Sequence, residues 1–412
     1  MASTPAAAVV VGAGLAGLAA AGELRRAGVR TVVVEARDRV GGRVWSRTLE
    51  GGAVVEMGAE FVLPGGLLLP ETAAACGLRL YEKGTTYGDR EPRGGRPVTP
   101  ALLAEAHATV ASAAASGELG RANAADTLAR LVVDRAAREV LLARVEVSGA
   151  ASAHDQDDRC LCDSGKAFGP YPTHSVAGGN QRLAEALARP LGGDLHLRAA
   201  ATGIVDSPGG GVRVAVAGGE LEADVCVVAV PASVLGRIAF DPPLPEPVTA
   251  AFGRVLYGQA AKLFLPVDGD PPPSATLAVP ERFWTFTQRD PDGRPLPVAG
   301  SFAGGVEALD RLEVTAGPAV WIDRVAALRP DLRLRTEEAV LSTWAGDLWV
   351  GGAYSVRTPD GALDDPLLRR RVGSIAFAGE HTAGEWHGLM EGALRSGLRA
   401  ARQLLRSGAE RR

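Results

Sequence analysis

The chain has 412 residues, 46% of them hydrophobic and 22% charged, which is the composition of a globular protein and excludes a disordered, collagenous or coiled-coil one. Its length suits two or three domains with a sizeable core. A formal net charge of −4, without long runs of one sign, leaves no electrostatic footprint for nucleic acid or an anionic membrane.

Residues 1–22 are uncharged but lack a basic start and contain Gly12, Gly14, Gly17 and Gly22, so they read as a buried strand and a glycine turn rather than a signal or membrane segment. The apolar run 6–11 leads into Gly12-Ala-Gly14-Leu-Ala-Gly17, then a helical stretch to Arg26, then a second apolar run, 31–34, that ends in Glu35. This is a βαβ unit. Gly12 suits the tight turn, Gly14 the close approach of a pyrophosphate, and Gly17 the packing of helix on strand. The phosphates belong at the helix N-terminus, and Glu35 is placed to accept hydrogen bonds from a ribose diol. The unit predicts dinucleotide binding without saying which dinucleotide.

Immediately after Glu35 comes Ala36-Arg37-Asp38-Arg39-Val40-Gly41-Gly42-Arg43, glycines and guanidinium groups suited to wrapping a pyrophosphate. This segment resembles the second fingerprint of FAD-dependent amine oxidases, the monoamine and polyamine oxidase family. The resemblance continues through Glu56-Met-Gly58-Ala59-Glu60-Phe61, similar to the loop that runs past the isoalloxazine. Val176-Ala-Gly178-Gly179-Asn180 resembles the glycine pair that starts a helix on the return to the FAD domain. Ala201 stands where the family's backbone meets adenine.

At the far end, the short strand 375–377 leads into Ala378-Gly379-Glu380-His381, and Gly388-Leu389-Met390 opens a final helix. In the resemblance, Glu380 contacts ribitol or phosphate, and backbone N–H groups around Leu389 and Met390 face the flavin. The implied fold is α/β: a Rossmann-like FAD-binding domain from residues 1–78, 176–245 and 346–412, interleaved with an α+β substrate-binding domain from 79–175 and 246–345. The alanine-rich stretch 101–148 reads as helices within the latter.

Leu256 to Leu265 reads as a mostly apolar strand with Lys262 near its middle. Only Lys83, Lys166 and Lys262 are lysines, against 41 arginines, and a buried ammonium is costly unless paired, hydrated or neutral. Lys262 matches the family's active-site lysine, which reaches the flavin N5 through a water. Tyr354 matches one wall of its aromatic cage, with Leu389 where a second tyrosine would stand, and Trp386, Phe283 and Trp284 are candidates for a further wall. Ala353 replaces the cysteine of covalent members, which implies non-covalent FAD.

The implied reaction is hydride transfer from the α-carbon of an amine to flavin N5, imine hydrolysis, and reoxidation by O2 to give H2O2. A flavin desaturase or ring oxidase of the protoporphyrinogen oxidase or carotenoid desaturase type shares both end motifs. L-amino-acid oxidation and a non-catalytic FAD-binding role are further alternatives. An amino-acid substrate needs a carboxylate clamp, for which Arg79, Arg90, Arg93 and Arg96 are the candidates. Four scattered cysteines, Cys76, Cys160, Cys162 and Cys226, and six histidines without ligand spacing predict a reducing, cytoplasmic setting and no metal. A homodimer stays open.

Overall fold

The computed structural model describes residues 8–63, 65–120, 122–161 and 171–410. Cys162 and Lys166 lie outside these residues. A five-stranded sheet is built from Ala8–Val11, Thr31–Val34, Leu195–His196, Val225–Val228 and Ile375–Phe377, with Ala8–Val11 in the middle and every neighbour parallel. Its strands are apolar at successive positions because both faces are covered. Val10, Val33, Val227 and Ala376 point into the core under the helices Leu15–Arg26 and Met390–Glu410. The alternate residues Val9, Val11, Val32, Val34, Cys226 and Val228 point into a second core on the opposite face. Strands drawn from residue 8 to residue 377 thus share one sheet.

Gly12 takes φ +102°, a conformation that L side chains rarely adopt, and turns the chain out of the first strand. A Cβ on Gly17 would collide with the Gly12 carbonyl oxygen, so glycine there sets how closely the first helix lies on the sheet.

The second large sheet has six strands in the order Val340–Thr343, Ala260–Pro266, Pro295–Gly304, Phe283–Arg289, Ser274–Ala278, Glu91–Arg93, antiparallel except for the last pair. Ala260–Pro266 is buried along its whole length. The sequence reading started this strand at Leu256, but residues 256–259 pair elsewhere. Tyr257 bridges to Ser355, and the Gln259 N–H bonds the Ala150 carbonyl at 2.7 Å.

The alanine-rich stretch forms three helices, Pro100–Ala115, Ala124–Leu131 and Arg135–Gly149. Each starts on a side-chain cap, from Thr99, Asn123 and Asp134. No helix among the described residues is long and apolar enough to cross a membrane.

Candidate active site

A cavity of about 600 Å³ runs from the glycine turn of the first sheet to the second sheet. At one end it is lined by Gly12, Gly14, Glu35, Ala36, Arg37, Gly42, Arg43 and Ala201, and at the other by Gly58, Ala59, Glu60, Lys262, Tyr354 and Leu389. Gly379, Glu380 and Met390 close it from the C-terminal segment. Of the residues expected to hold a cofactor, Gly17 alone stands off the lining, because its place is behind the turn, against Gly12.

The turn end suits an anion. The first helix has Gly14 as its N-cap with no side-chain cap, and Gly14, Leu15 and Ala16 all border the cavity, so free N–H groups and the positive end of the helix dipole face it. A Cβ on Gly14 would meet nothing within 4 Å, which leaves open space where phosphate would approach the backbone. Glu35 accepts the Ala13 N–H at 2.7 Å and the Arg37 N–H at 2.9 Å, which orients it at the end of its strand. Burial raises its carboxyl against those two N–H groups and the positive charge of Arg37. These donors and glycines fit the diphosphate and ribose of FAD.

Arg43 and Glu380 join the two ends of the chain. The Arg43 Nη1 donates to Glu380 Oε1 at 2.8 Å and to the Ala353 carbonyl at 2.9 Å. Glu380 also accepts the Ser355 N–H at 3.2 Å, the Gly388 N–H at 2.7 Å and the Ser355 hydroxyl. Burial alone would raise this carboxyl, but Arg43, His381 and the hydrogen bonds from Ser355 and Gly388 pull it down to about 2. Next to it, burial lowers the His381 imidazole to about 4 despite the Glu380 charge, so this ring is neutral and shares a 3.1 Å hydrogen bond with the Tyr257 hydroxyl.

Lys262 lies at the other end. Its Nζ donates to the Glu56 carbonyl, to the Gly58 carbonyl at 3.0 Å and to the Glu60 carboxylate. Glu60 is shared with Lys83, itself 3% exposed, so one carboxylate bridges two buried ammonium groups. Burial lowers Lys262 below its ordinary value with Glu60 opposing, whereas around Lys83 the charges of Glu60, Tyr81 and Glu56 outweigh burial and raise it. Burial and the Glu60 charge raise the neighbouring Glu56 to about 7, where it accepts the Asn180 N–H and the Ser46 hydroxyl, each at 2.7 Å. The sequence reading did not single out Lys83; the scarcity of lysine was the signal available.

The chamber beyond Lys262 is aromatic: Phe61, Tyr87, Trp284, Phe286, Phe302 and Tyr354 line it. Tyr354 anchors its hydroxyl on the Ser148 carbonyl at 2.7 Å. Two expected wall residues are elsewhere. Strand parity turns Phe283 to the opposite face from Trp284, where it packs on Trp321 at a centroid distance of 6.2 Å. Trp386 stands off the lining and stacks under the Arg395 guanidinium, 4.6 Å away. Of the four candidate clamp arginines, only Arg90 reaches the cavity. Arg79 bonds the Pro291 carbonyl, Arg93 the Leu328 carbonyl, and Arg96 pairs with Glu139 at 3.8 Å. His387 borders the cavity and its Nδ1 lies 3.2 Å from the Ser355 carbonyl.

The model of flavin-containing amine oxidoreductases matches residues 15–96 and 101–405. The chain is 26% identical to flavin-containing amine oxidase B of the dog, with 96% of this chain and 85% of that protein covered. It is 28% identical to a Mycobacterium tuberculosis protein named as a flavin-containing monoamine oxidase, with 96% of each covered. Among solved structures, putrescine oxidase bound to putrescine aligns with a TM-score of 0.82 at 24% identity, covering 97% of this chain and 99% of that one. Cyclohexylamine oxidase from Brevibacterium oxydans aligns with a TM-score of 0.78 at 20% identity, covering 98% and 100%. At these identities the two structures speak for the fold.

Proposed function

The chain belongs to the flavin-containing amine oxidoreductase family and oxidises amines with FAD, and from that premise we propose how its own residues divide the task. The observation that carries the reading is the single cavity joining the glycine turn to the aromatic chamber past Lys262. We assign residues 1–78, 176–245 and 346–412 to holding FAD and 79–175 and 246–345 to holding substrate.

When bound, FAD would supply the two-electron acceptor that takes hydride from the amine α-carbon, leaving an imine for water to hydrolyse to a carbonyl compound and an amine or ammonia, and would pass the electrons to dioxygen to give hydrogen peroxide. Gly12, Gly14, Arg37 and Gly42 take the diphosphate, Glu35 the ribose, Ala201 the adenine side, and Glu380, oriented by Arg43, the ribitol side. Gly58, Ala59, Leu389 and Met390, which line the cavity, would border the ring system. Lys262 is the proton-holding group beside it. The Glu56 and Gly58 carbonyls and the Glu60 carboxylate take its three N–H donors and fix Nζ in place, so a bound water reaches Nζ by replacing one of these acceptors. Tyr354, Trp284, Phe286 and Phe302 exclude bulk water and present flat faces to the neutral amine.

Ala353 offers no thiolate, so FAD is held without a covalent bond, and acid precipitation should release the yellow colour wholly into the supernatant. The free thiols of Cys76 and Cys226 suit the cytoplasm. The deciding experiment mixes the FAD-loaded protein with a panel of amines under argon. Bleaching of the flavin absorbance by amines, followed by peroxide on admitting air, is the expected result. Bleaching by a polycyclic alkene precursor instead would replace amine oxidation with desaturation.

A further inference from the structure

Arg90 is 7% exposed and lies on the wall of the aromatic chamber. Its guanidinium stacks 3.8 Å from the Trp284 ring centroid and 4.9 Å from that of Tyr87. The aromatic faces stabilise the charge, and the Tyr87 side chain also hydrogen-bonds the guanidinium. Nε and Nη1 are buried without a hydrogen-bond partner, and no described carboxylate pairs with the group. The neighbouring acid, Asp89, is exposed.

The other buried or half-buried cations of the lining are matched. Arg43 pairs with Glu380, Arg37 with Asp347, Lys262 with Glu60, Arg159 with Asp157, and Arg357 with Asp364. A buried guanidinium without an acid is costly, and its binding energy is available to a ligand. A second unsatisfied group borders the same chamber: the Ser148 hydroxyl is buried without a partner. Ser148 is one helical turn after Arg144, whose Nη2 donates to the Tyr87 carbonyl at 3.3 Å. The Tyr87 corner therefore holds two guanidinium groups, Arg90 on the cavity and Arg144 behind it.

We propose that Arg90, with the Ser148 hydroxyl on the lining of the same chamber, is a carboxylate subsite, and that the amine oxidised here carries a carboxylate at one end and an apolar or aromatic body that lies against Trp284 and Phe286. This rests on the reading of the chamber as the place of amine oxidation. The guanidinium fork matches a carboxylate and the surrounding rings exclude competing water, so the acid group fixes which way round the amine enters.

The test uses the FAD-loaded enzyme and matched pairs that differ by one carboxylate: phenylalanine and phenethylamine, tryptophan and tryptamine, norvaline and butylamine, ornithine and putrescine. The acid member of the best pair is expected to have a kcat/KM at least about tenfold higher than its amine. In Arg90→Met the ratio of the two kcat/KM values should fall by about 100-fold, with partial recovery in Arg90→Lys. Binding is read separately, by titrating the flavin absorbance with 3-phenylpropionate and with 3-phenylpropanol, its uncharged counterpart. The acid should bind the wild type, and its Kd should rise at least about tenfold in both Arg90→Met and Arg90→Gln. The wild-type comparison of acid with alcohol needs no variant to fold.

Equal handling of acids and amines by the wild type, no preference for 3-phenylpropionate over the alcohol, or an unchanged ratio in a folded Arg90→Met would overturn the proposal. If neither member of any pair bleaches the flavin while 3-phenylpropionate still binds through Arg90, the subsite stands and the amine oxidase reading falls. If amines bleach it and 3-phenylpropionate does not bind, the reverse holds.

Discussion

The cofactor end and the substrate end of the cavity handle charge in opposite ways. Around the glycine turn the half-buried charges of the wall find partners within the chain, Arg43 with Glu380 and Arg37 with Asp347. What that end offers a ligand is backbone: an uncapped helix N-terminus and glycines. The chamber end offers side chains, six aromatic faces and one guanidinium without an acid. A site for an invariant cofactor is built from groups that every sequence has. A site for a particular substrate is built from groups that only certain side chains supply.

Arg43→Met leaves Glu380 buried without its cation, a loss of about 3–5 kcal/mol for a pair of this kind. The variant should purify nearly free of flavin, read as the ratio of absorbance at about 450 nm to that of the protein, and melt at a lower temperature. Retention of full yellow colour would show that the clasp between the chain ends does not support the cofactor.

Lys262→Met sharpens the contrast, because this residue stands between the two ends. Glu60 keeps Lys83 as a partner, so the fold and the flavin content should survive. Rapid-mixing measurement of flavin reduction and reoxidation should find one of the two steps slower by about 100-fold, equivalent to about 3 kcal/mol. Unchanged rates for both would remove Lys262 from the mechanism.

The smallest of these effects concerns Glu56, whose carboxyl burial and the Glu60 charge raise to about 7. A carboxyl raised on folding stabilises the protonated native state, so this contribution is present below about pH 4.5 and is lost as pH rises toward 7. Between pH 5 and 8 the loss amounts to about 2 kcal/mol, and Glu56→Gln should flatten that part of the stability profile. A melting temperature with the same pH slope in both proteins would show that Glu56 titrates normally.

The βαβ unit is legible in the sequence because its signals are local: a glycine forced to positive φ, an apolar run before it, a helix after it and an acid at the end of the next strand. The chamber is less legible. One step along a strand separates Trp284 in the wall from Phe283 in the core, and both are large and apolar. The clamp that joins residues 43 and 380, and the carboxylate shared by residues 83 and 262, depend on contacts between distant segments. No spacing in the sequence encodes them. Arg90 is similar: among 41 arginines nothing marks one as unpaired until its neighbours are in place.

The meeting of Arg43 with Glu380, 337 positions apart, also has a bearing on biosynthesis. A nascent polypeptide carries its glycine turn from the start, yet the pocket has no floor until the closing helix has left the ribosome. The complete nucleotide site therefore forms only after the C-terminal segment has been made and has docked on the glycine turn.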